Sequence, residues 1–383
     1  MNGSPAMTPW DDYVLAHGNE FACFWEQQLK SRSRNLLFVI GLGFDPRMCT
    51  ALRSLLQAGG DGRRDCIALE YDEGDRSSSQ QYKSLAEANR EELRHLVERD
   101  GRGALRVHAL QVWSGDGRRI ASRSAAQVIQ SAADVAGYDD IIVDISAMPR
   151  GIYFALIHKL LLLLGAGAVA STAPRAPNLH VVVSEHSVLD ARIVEDGIDD
   201  RAAYLHGFET VDREATEGMP RVWIPVLGEG QENQLRRMRD LVRPDQVCPL
   251  LPFPSVDPRR GDDLIGEYQR FLFDDLQVQP RDILYAHEQN PFQACRTIHG
   301  AVVRYARVFR VLRGCKAFLS ANSSKLLSLG VLLAAHELKR TGYHVGIAHV
   351  DSLGYRMMEV AEEAAAGAKG EPFELWLTGE CYA

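Results

Sequence analysis

An acid, a hydroxyl and a cation recur at short spacing in Asp144-Ile-Ser-Ala-Met-Pro-Arg150, where Asp144, Ser146 and Arg150 stand within seven residues. A carboxylate, a hydroxyl and a guanidinium backed by free helix amides can hold an anion such as phosphate. The plainer alternative is a capped helix in which Arg150 only pairs Asp144. A second stretch, Cys315-Lys-Ala-Phe-Leu-Ser-Ala-Asn-Ser-Ser-Lys325, crowds Ser320, Ser323, Ser324 and Lys325 into one turn. Two glycine turns add to these. Gly41-Leu-Gly-Phe-Asp-Pro-Arg47 offers Gly41, Gly43, Asp45 and Arg47, and Gly228-Glu-Gly-Gln-Glu-Asn233 offers Gly228 and Glu229. Glycines there let a backbone approach a ligand, although the third glycine of a dinucleotide fingerprint is missing. In His287-Glu-Gln-Asn-Pro-Phe292, Glu288 and Asn290 suit a ribose or a base edge, with Arg296 one turn on to hold them. Against this, Asn290 fits a helix N-cap with Pro291 at the first helical position, which leaves Glu288 and Arg296 unexplained. Histidines and cysteines show no zinc spacing, and no Walker loop or G-x-S-x-G elbow is present, so no metal or cofactor is expected and the sequence names no nucleophile.

The elements around these groups alternate. Residues 141–145 are a short β-branched apolar run, as in a strand buried on both faces, and the apolar helical pattern from Gly151 to Leu164 follows with Ser146 as its expected N-cap. Upstream, the pattern predicts a lead-in helix from Asp12 to Leu29, a strand before Gly41, strands at 66–70 and 105–112, and helices near 81–98 and 124–136; a strand at 179–184 follows the hub helix. The order then repeats. Strands are expected at 222–227, 247–251, 283–286, 315–320 and 343–350, helices at 234–242, 263–273, 291–312 and 326–338, and an edge strand at 373–377. Strands alternating with helices mean parallel sheets covered on both faces. The fold class is therefore α/β: two consecutive Rossmann-like, mostly parallel sheets with helices on both faces. The expected domains are a lead-in at 1–33, a first domain at 34–185, a connector at 186–218 and a second domain at 219–383. The halves agree in layout, with a glycine turn after the first strand and a hydroxyl–cation turn after the fourth. If first and fourth strands are neighbours, each pair of turns lines one crevice.

Composition limits the partners. The 383 residues carry 51 acidic against 43 basic side chains, a formal charge of −8, so any anionic ligand must be caught locally and no direct binding of duplex nucleic acid or of a membrane is expected. The run 152–170 is apolar, but His158 and Lys159 interrupt it, which suits a helix buried in protein. Seven scattered cysteines without a C-x-x-C pair, and no signal peptide, point to a reducing cytoplasm.

Asp144-Ile-Ser-Ala-Met-Pro-Arg150 resembles the Asp-x-Thr-Gly-Gly-Thr-Lys turn of CARF domains, the CRISPR-associated Rossmann-fold sensors of cyclic oligonucleotides. Acid, hydroxyl and cation coincide, while Ser-Ala-Met-Pro stands where that family has its paired glycines. Ser323-Ser-Lys325 is similar to the Gly-Thr-Lys end, and the turns at 41–47 and 228–233 occupy the place of the family's other ligand loop. The resemblance implies a sensor or regulatory subunit for a signal nucleotide such as a cyclic oligoadenylate, in prokaryotic defence or regulation, acting with a protein partner or as a homodimer. The rival reading is a phosphate- or nucleotide-handling enzyme, ring-nuclease-like or a hydrolase or transferase, with Glu288 or Asp144 as base; a scaffold whose turns are only caps is the third.

Overall fold

The computed structural model describes residues 9–71, 73–74, 77–165, 176–185, 193–211, 216–358 and 370–382. The chain forms two compact units, one of Tyr13–Gly197 with Ser352–Ala383 and one of Met1–Asp12 with Ile198–Asp351.

The first unit holds β1 (Val14–His17), α1 (Asn19–Ser31), β2 (Leu36–Leu42), α2 (Thr50–Gln57), β3 (Arg64–Tyr71), α3 (Lys83–Glu98), β4 (Leu105–Leu110), α4 (Ala121–Ala125), β5 (Asp140–Asp144), α5 (Arg150–Leu164), β6 (Asn178–Glu185) and β7 (Ile193–Glu195). The second holds β8 (Ala203–Tyr204), β9 (Arg221–Val226), α6 (Glu232–Val242), β10 (Gln246–Val247), β11 (Leu250–Pro252), α7 (Arg260–Glu267), β12 (Leu284–Ala286), α8 (Pro291–Val308), β13 (Lys316–Ala321), α9 (Lys325–Arg340) and β14 (His344–His349). The chain then returns to the first unit with β15 (Tyr355–Met357) and β16 (Glu371–Thr378).

The first sheet runs β1-β16-β6-β5-β2-β3-β4, its last five strands parallel, with β16 antiparallel to β6 and β1 antiparallel to β16. The second runs β12-β11-β9-β13-β14-β8, parallel except for β8. Counting the parallel strands in chain order, with β10 and β11 as one broken strand, both sheets read 3-2-1-4-5. That is a doubly wound order whose switch point lies between strands one and four. Every residue of β2 and β5 is buried, as their uninterrupted apolar runs require. On one face of the first sheet α1, α2 and α3 contribute Trp25, Leu52 and Leu93 to a core with Phe38 and Ile142; in the second, Leu235, Met238, Leu264 and Phe271 pack with Trp223 and Phe318. The helix after each fourth strand is nearly engulfed, with eleven of fifteen residues of α5 buried and thirteen of sixteen of α9. That explains why both are apolar all round, and no described helix is long and apolar enough to cross a membrane.

Several boundaries differ from expectation. Val14–His17 is a strand, not the start of the lead-in helix, because Gly18 at φ 55° breaks the chain and Val14 pairs with Trp376. The helix expected at 124–136 is only α4 plus a 3-10 turn at Ala132–Val135, which Ser131 and Asp134 restart as a capping box. The strand at 247–251 is broken into β10 and β11 at Cys248-Pro249, where proline has no N–H for the ladder. The strand at 373–377 forms, but on the first sheet, where β16 fills the place between β1 and β6.

A buried polar chain fixes that placement. Arg34 forks onto Asp140 at 2.8 and 2.8 Å, His180 Nε2 lies 3.3 Å from Asp140 and its Nδ1 2.6 Å from Glu374 of β16, and Trp25 Nε1 donates to Glu374 at 3.2 Å. Burial alone would depress His180; the charge of Glu374 and hydrogen bonds to Asp140 and Glu374 overcome it and hold its pKa at about 9. Against its own burial, Arg34 and His180 hold Asp140 well below the usual carboxylate range.

Candidate functional site

In both units the turns after strands one and four lie side by side, because β5 pairs β2 from Leu36↔Asp140 to Ile40↔Asp144 and β13 pairs β9 from Arg221↔Lys316 to Val226↔Ala321. The glycines make this possible. A Cβ on Gly41 would stand 2.7 Å from Met148 Cγ and 3.2 Å from the Ala147 carbonyl oxygen. On Gly228 it would stand 2.1 Å from the Asn322 carbonyl oxygen and 2.8 Å from Ser323 Cα. Each glycine thus seats the partner turn.

At the first edge, Asp45 caps the 3-10 turn Pro46–Cys49 and is forked by Arg47, Nη2 to Oδ2 at 2.7 Å and Nε to Oδ1 at 3.0 Å, both side chains being buried. Asn89 of α3 donates to the carbonyls of Gly43 (2.9 Å) and Asp45 (3.2 Å), so the loop is pinned. Asp144 accepts from the Ser146 N–H at 2.8 Å, and the Ser146 hydroxyl accepts from the Ser184 N–H at 2.8 Å. Ser146 is therefore not the helix N-cap. That position falls to Pro149, in an extended conformation, and Arg150 is the first helical residue, half-buried. Tyr71 donates to the Ala147 carbonyl at 2.7 Å. Beside these turns, Tyr355 of β15 is held by its backbone, its N–H donating to Ser79 Oγ at 3.2 Å and its carbonyl accepting from Ser78 Oγ at 3.2 Å, while Glu73 accepts from Ser77 and Ser79 at 2.8 and 2.7 Å. Burial, with the charge of Glu195 nearby, pushes the Tyr355 phenol up, and Arg150 is close enough to pull it back in part.

At the second edge, Lys325 is the first residue of α9, the counterpart of Arg150, and Ser324 caps the helix, accepting from Leu327 N at 3.3 Å. Ser320 lies inside β13, buried, where its hydroxyl accepts from Trp223 Nε1 at 2.9 Å; it serves the core and not the turn. Ser323 sits against Gly228. In the glycine turn, Gly230 N–H donates to Glu267 at 2.7 Å and Gln231 N–H to Tyr268 Oη at 2.9 Å, so a carboxylate of the protein already rests on one of the anion-favouring amides. Glu229 is forked by Arg260 at 2.6 and 2.8 Å; the same guanidinium pairs Glu288, whose other oxygen accepts from Val256 N at 2.8 Å. Asn290 is the helix N-cap, accepting from Gln293 N at 3.0 Å, with Pro291 at the first position. Arg296 does not hold Glu288. It turns to Asp11, with Nη2 3.2 Å from the Asp11 carbonyl.

Arg260 is the group that sequence reasoning missed. It follows a proline-rich loop with no motif around it, and only the approach of strands one, two and three at one edge gives it two carboxylates. Among the described residues no cluster of histidine, cysteine and acid could hold a metal. A cleft of about 740 Å³ lined by Arg239, Asp245, Gln246 and Asp282 is at the opposite, amino-terminal edge of the second sheet, and no candidate residue lines it. Burial pushes the thiols of Cys49 and Cys248 up to about 12 and about 11, which disfavours their thiolate forms.

No protein-family model and no curated protein matches the chain. Among solved structures the chain is similar to a Type III CRISPR defence DNA nuclease activated by cyclic oligoadenylate, at TM-score 0.43 and 9% identity over 78% of this chain and 64% of that one, so it spans under two thirds of that neighbour's length. It is also similar to a universal stress protein from Archaeoglobus fulgidus DSM 4304, at TM-score 0.24 and 9% identity over 81% and 95%. A third is the cytoplasmic domain of a prokaryotic cation chloride cotransporter, at TM-score 0.21 and 10% identity over 83% and 95%. The fold class rests on the strand order and register above.

Proposed function

We propose that the carboxyl edges of the two sheets bind a nucleotide signal and that the protein is a sensor or regulatory subunit. The observation that carries this reading is the repeated switch point. Two units with negligible sequence identity both place a glycine turn against the turn after strand four, and both begin the next helix with a cation, Arg150 in one and Lys325 in the other. Crevices at such points take ligands in open α/β sheets, and a helix N-terminus carrying a cation favours phosphate. Both carboxylates considered as bases are held in place at these edges, Glu288 by Arg260 and Val256 and Asp144 by the Ser146 amide. Cyclic oligoadenylate is the first ligand to try, with a protein partner or a second copy of the chain reading the bound state.

Calorimetric titration of the full chain with cyclic oligoadenylates tests this. Arg150→Ala and Lys325→Ala should each weaken binding by about tenfold or more, as loss of a charge-assisted phosphate contact does, while the melting temperature stays nearly unchanged. A large loss of stability with binding intact would make Arg150 a structural partner of Asp144 and refute its ligand role.

A further inference from the structure

The second unit carries an apolar shelf on the same edge as its two turns. Phe253 continues β11, its N–H donating to the Ala286 carbonyl at 2.8 Å, and Leu251 pairs with Tyr285. Strand alternation therefore puts Phe253 and Tyr285 on one face. Their rings meet edge to face, with centroids 6.1 Å apart and planes at 75°. Both remain open to solvent, at 57% and 48%, and Val256 in the same loop is 76% exposed. Three large apolar side chains gathered at one corner are not explained by the core, which they do not enter.

The corner is held firmly. Val256 N–H donates to Glu288 at 2.8 Å, and Glu288 N–H donates to the Pro254 carbonyl at 3.0 Å. Arg260 then ties Glu288 to Glu229 in the glycine turn. An open aromatic surface is thus fixed beside two carboxylates and a guanidinium, and Gly228, the neighbour of Glu229, seats the turn that ends at Lys325. A bare anion would use the cation and leave the rings idle. An aliphatic partner would have no use for the carboxylates. A nucleobase uses both, through its π face and its polar edges.

We infer that Phe253 and Tyr285 form a base-stacking shelf, and that the second unit's edge takes a nucleotide with its base on Phe253, its ribose hydroxyls or base edge toward Glu288 and its phosphate toward Lys325. This rests on the reading that the sheet edges bind nucleotides, and adds which end of the ligand lies where. Arg260 is then a positioning residue that holds Glu288 and Glu229 in place.

The test is a titration of the full chain with linear triadenylate and, separately, with tripolyphosphate, repeated in an Arg150→Ala background that weakens the first unit's edge. Phe253→Ala should lower triadenylate affinity about 5-fold to 150-fold, the range for one stacked base, and leave tripolyphosphate affinity unchanged; Phe253→Trp should restore it. The exposure of both rings means that these variants should fold, which far-UV circular dichroism checks. Unchanged triadenylate affinity in a Phe253→Ala/Tyr285→Ala double variant overturns the shelf and leaves the nucleotide reading standing. Equal loss for both ligands also overturns it, as distortion of the edge. Failure of the unaltered chain to bind triadenylate overturns shelf and nucleotide reading together.

Discussion

His180 is enclosed by Asp140 of β5, Glu374 of β16, Trp25 and Phe24 of α1 and Trp376, so its charge state is read by three elements at once. Its folded pKa, about 9, lies above the ordinary value of 6.5. A base raised in the folded state stabilises fully below the unfolded pKa, and that contribution is lost as pH rises through the folded one. Stability of the first unit should therefore fall between about pH 6.5 and pH 9, by roughly 3 kcal/mol for a shift of that size. Asp140, held low, works in the opposite sense: its contribution is present above the unfolded carboxylate pKa and disappears only in acid. Urea unfolding of the first unit should show a decline between about pH 6.5 and about pH 9, added to the fall above the ordinary carboxylate range that Glu374 contributes, because burial raises its pKa. His180→Gln should be less stable at pH 6 and should flatten the alkaline decline. An unaltered slope in that variant would assign the decline to other groups.

Among the elements, the switch-point turns depend on backbone-to-backbone approach. At Gly41 the nearest obstacle to a methyl group is a side-chain atom, Met148 Cγ at 2.7 Å, with the Ala147 backbone at 3.2 Å, whereas at Gly228 it is backbone, the Asn322 carbonyl at 2.1 Å and Ser323 Cα at 2.8 Å, which cannot yield without moving the turn. Gly228→Ala should therefore cost more than Gly41→Ala, about 2–3 kcal/mol against about 1, and should displace Ser323 and Lys325. Thermal melts give the first quantity, and the binding titration with Lys325 in place gives the second. Asn290→Ala removes the α8 cap and should cost about 1 kcal/mol with ligand affinity unchanged, since its side chain is spent on Gln293 N. Lost binding in that variant, at unchanged stability, would return Asn290 to the site.

For the whole molecule, the return of the chain from Ser352 makes the first unit discontinuous. β16 brings Phe373, Leu375 and Leu377 into its core and supplies Glu374 to His180 and Trp25. A chain ended at Asp351 should lose cooperative melting of the first unit, since β6 and β1 lose their common neighbour and His180 its partner, while the transition of residues 198–351 persists. Calorimetry with limited proteolysis would show which transition survives, and a first unit that still melts cooperatively would contradict this role for β16. The alternation of strands and helices, the paired turns and the cations at 150 and 325 were all legible in the chain itself, because apolar periodicity and helix-start residues are local signals that tertiary contacts seldom override in buried strands such as β2 and β5. So was the Asn290 cap. The partners of the polar groups were not legible. Glu288 meets Arg260 and not Arg296, Ser320 serves Trp223, Ser146 serves Ser184, and the strand at 371–378 crosses to the first sheet. Which partner a charge or an edge strand finds depends on elements far apart in sequence meeting in space. A strand's own residues state that it will pair and how its faces divide, but two sheets of like composition offer it equivalent edges. Here the choice fell to the buried Glu374, which has His180 and Trp25 to receive it in the first sheet.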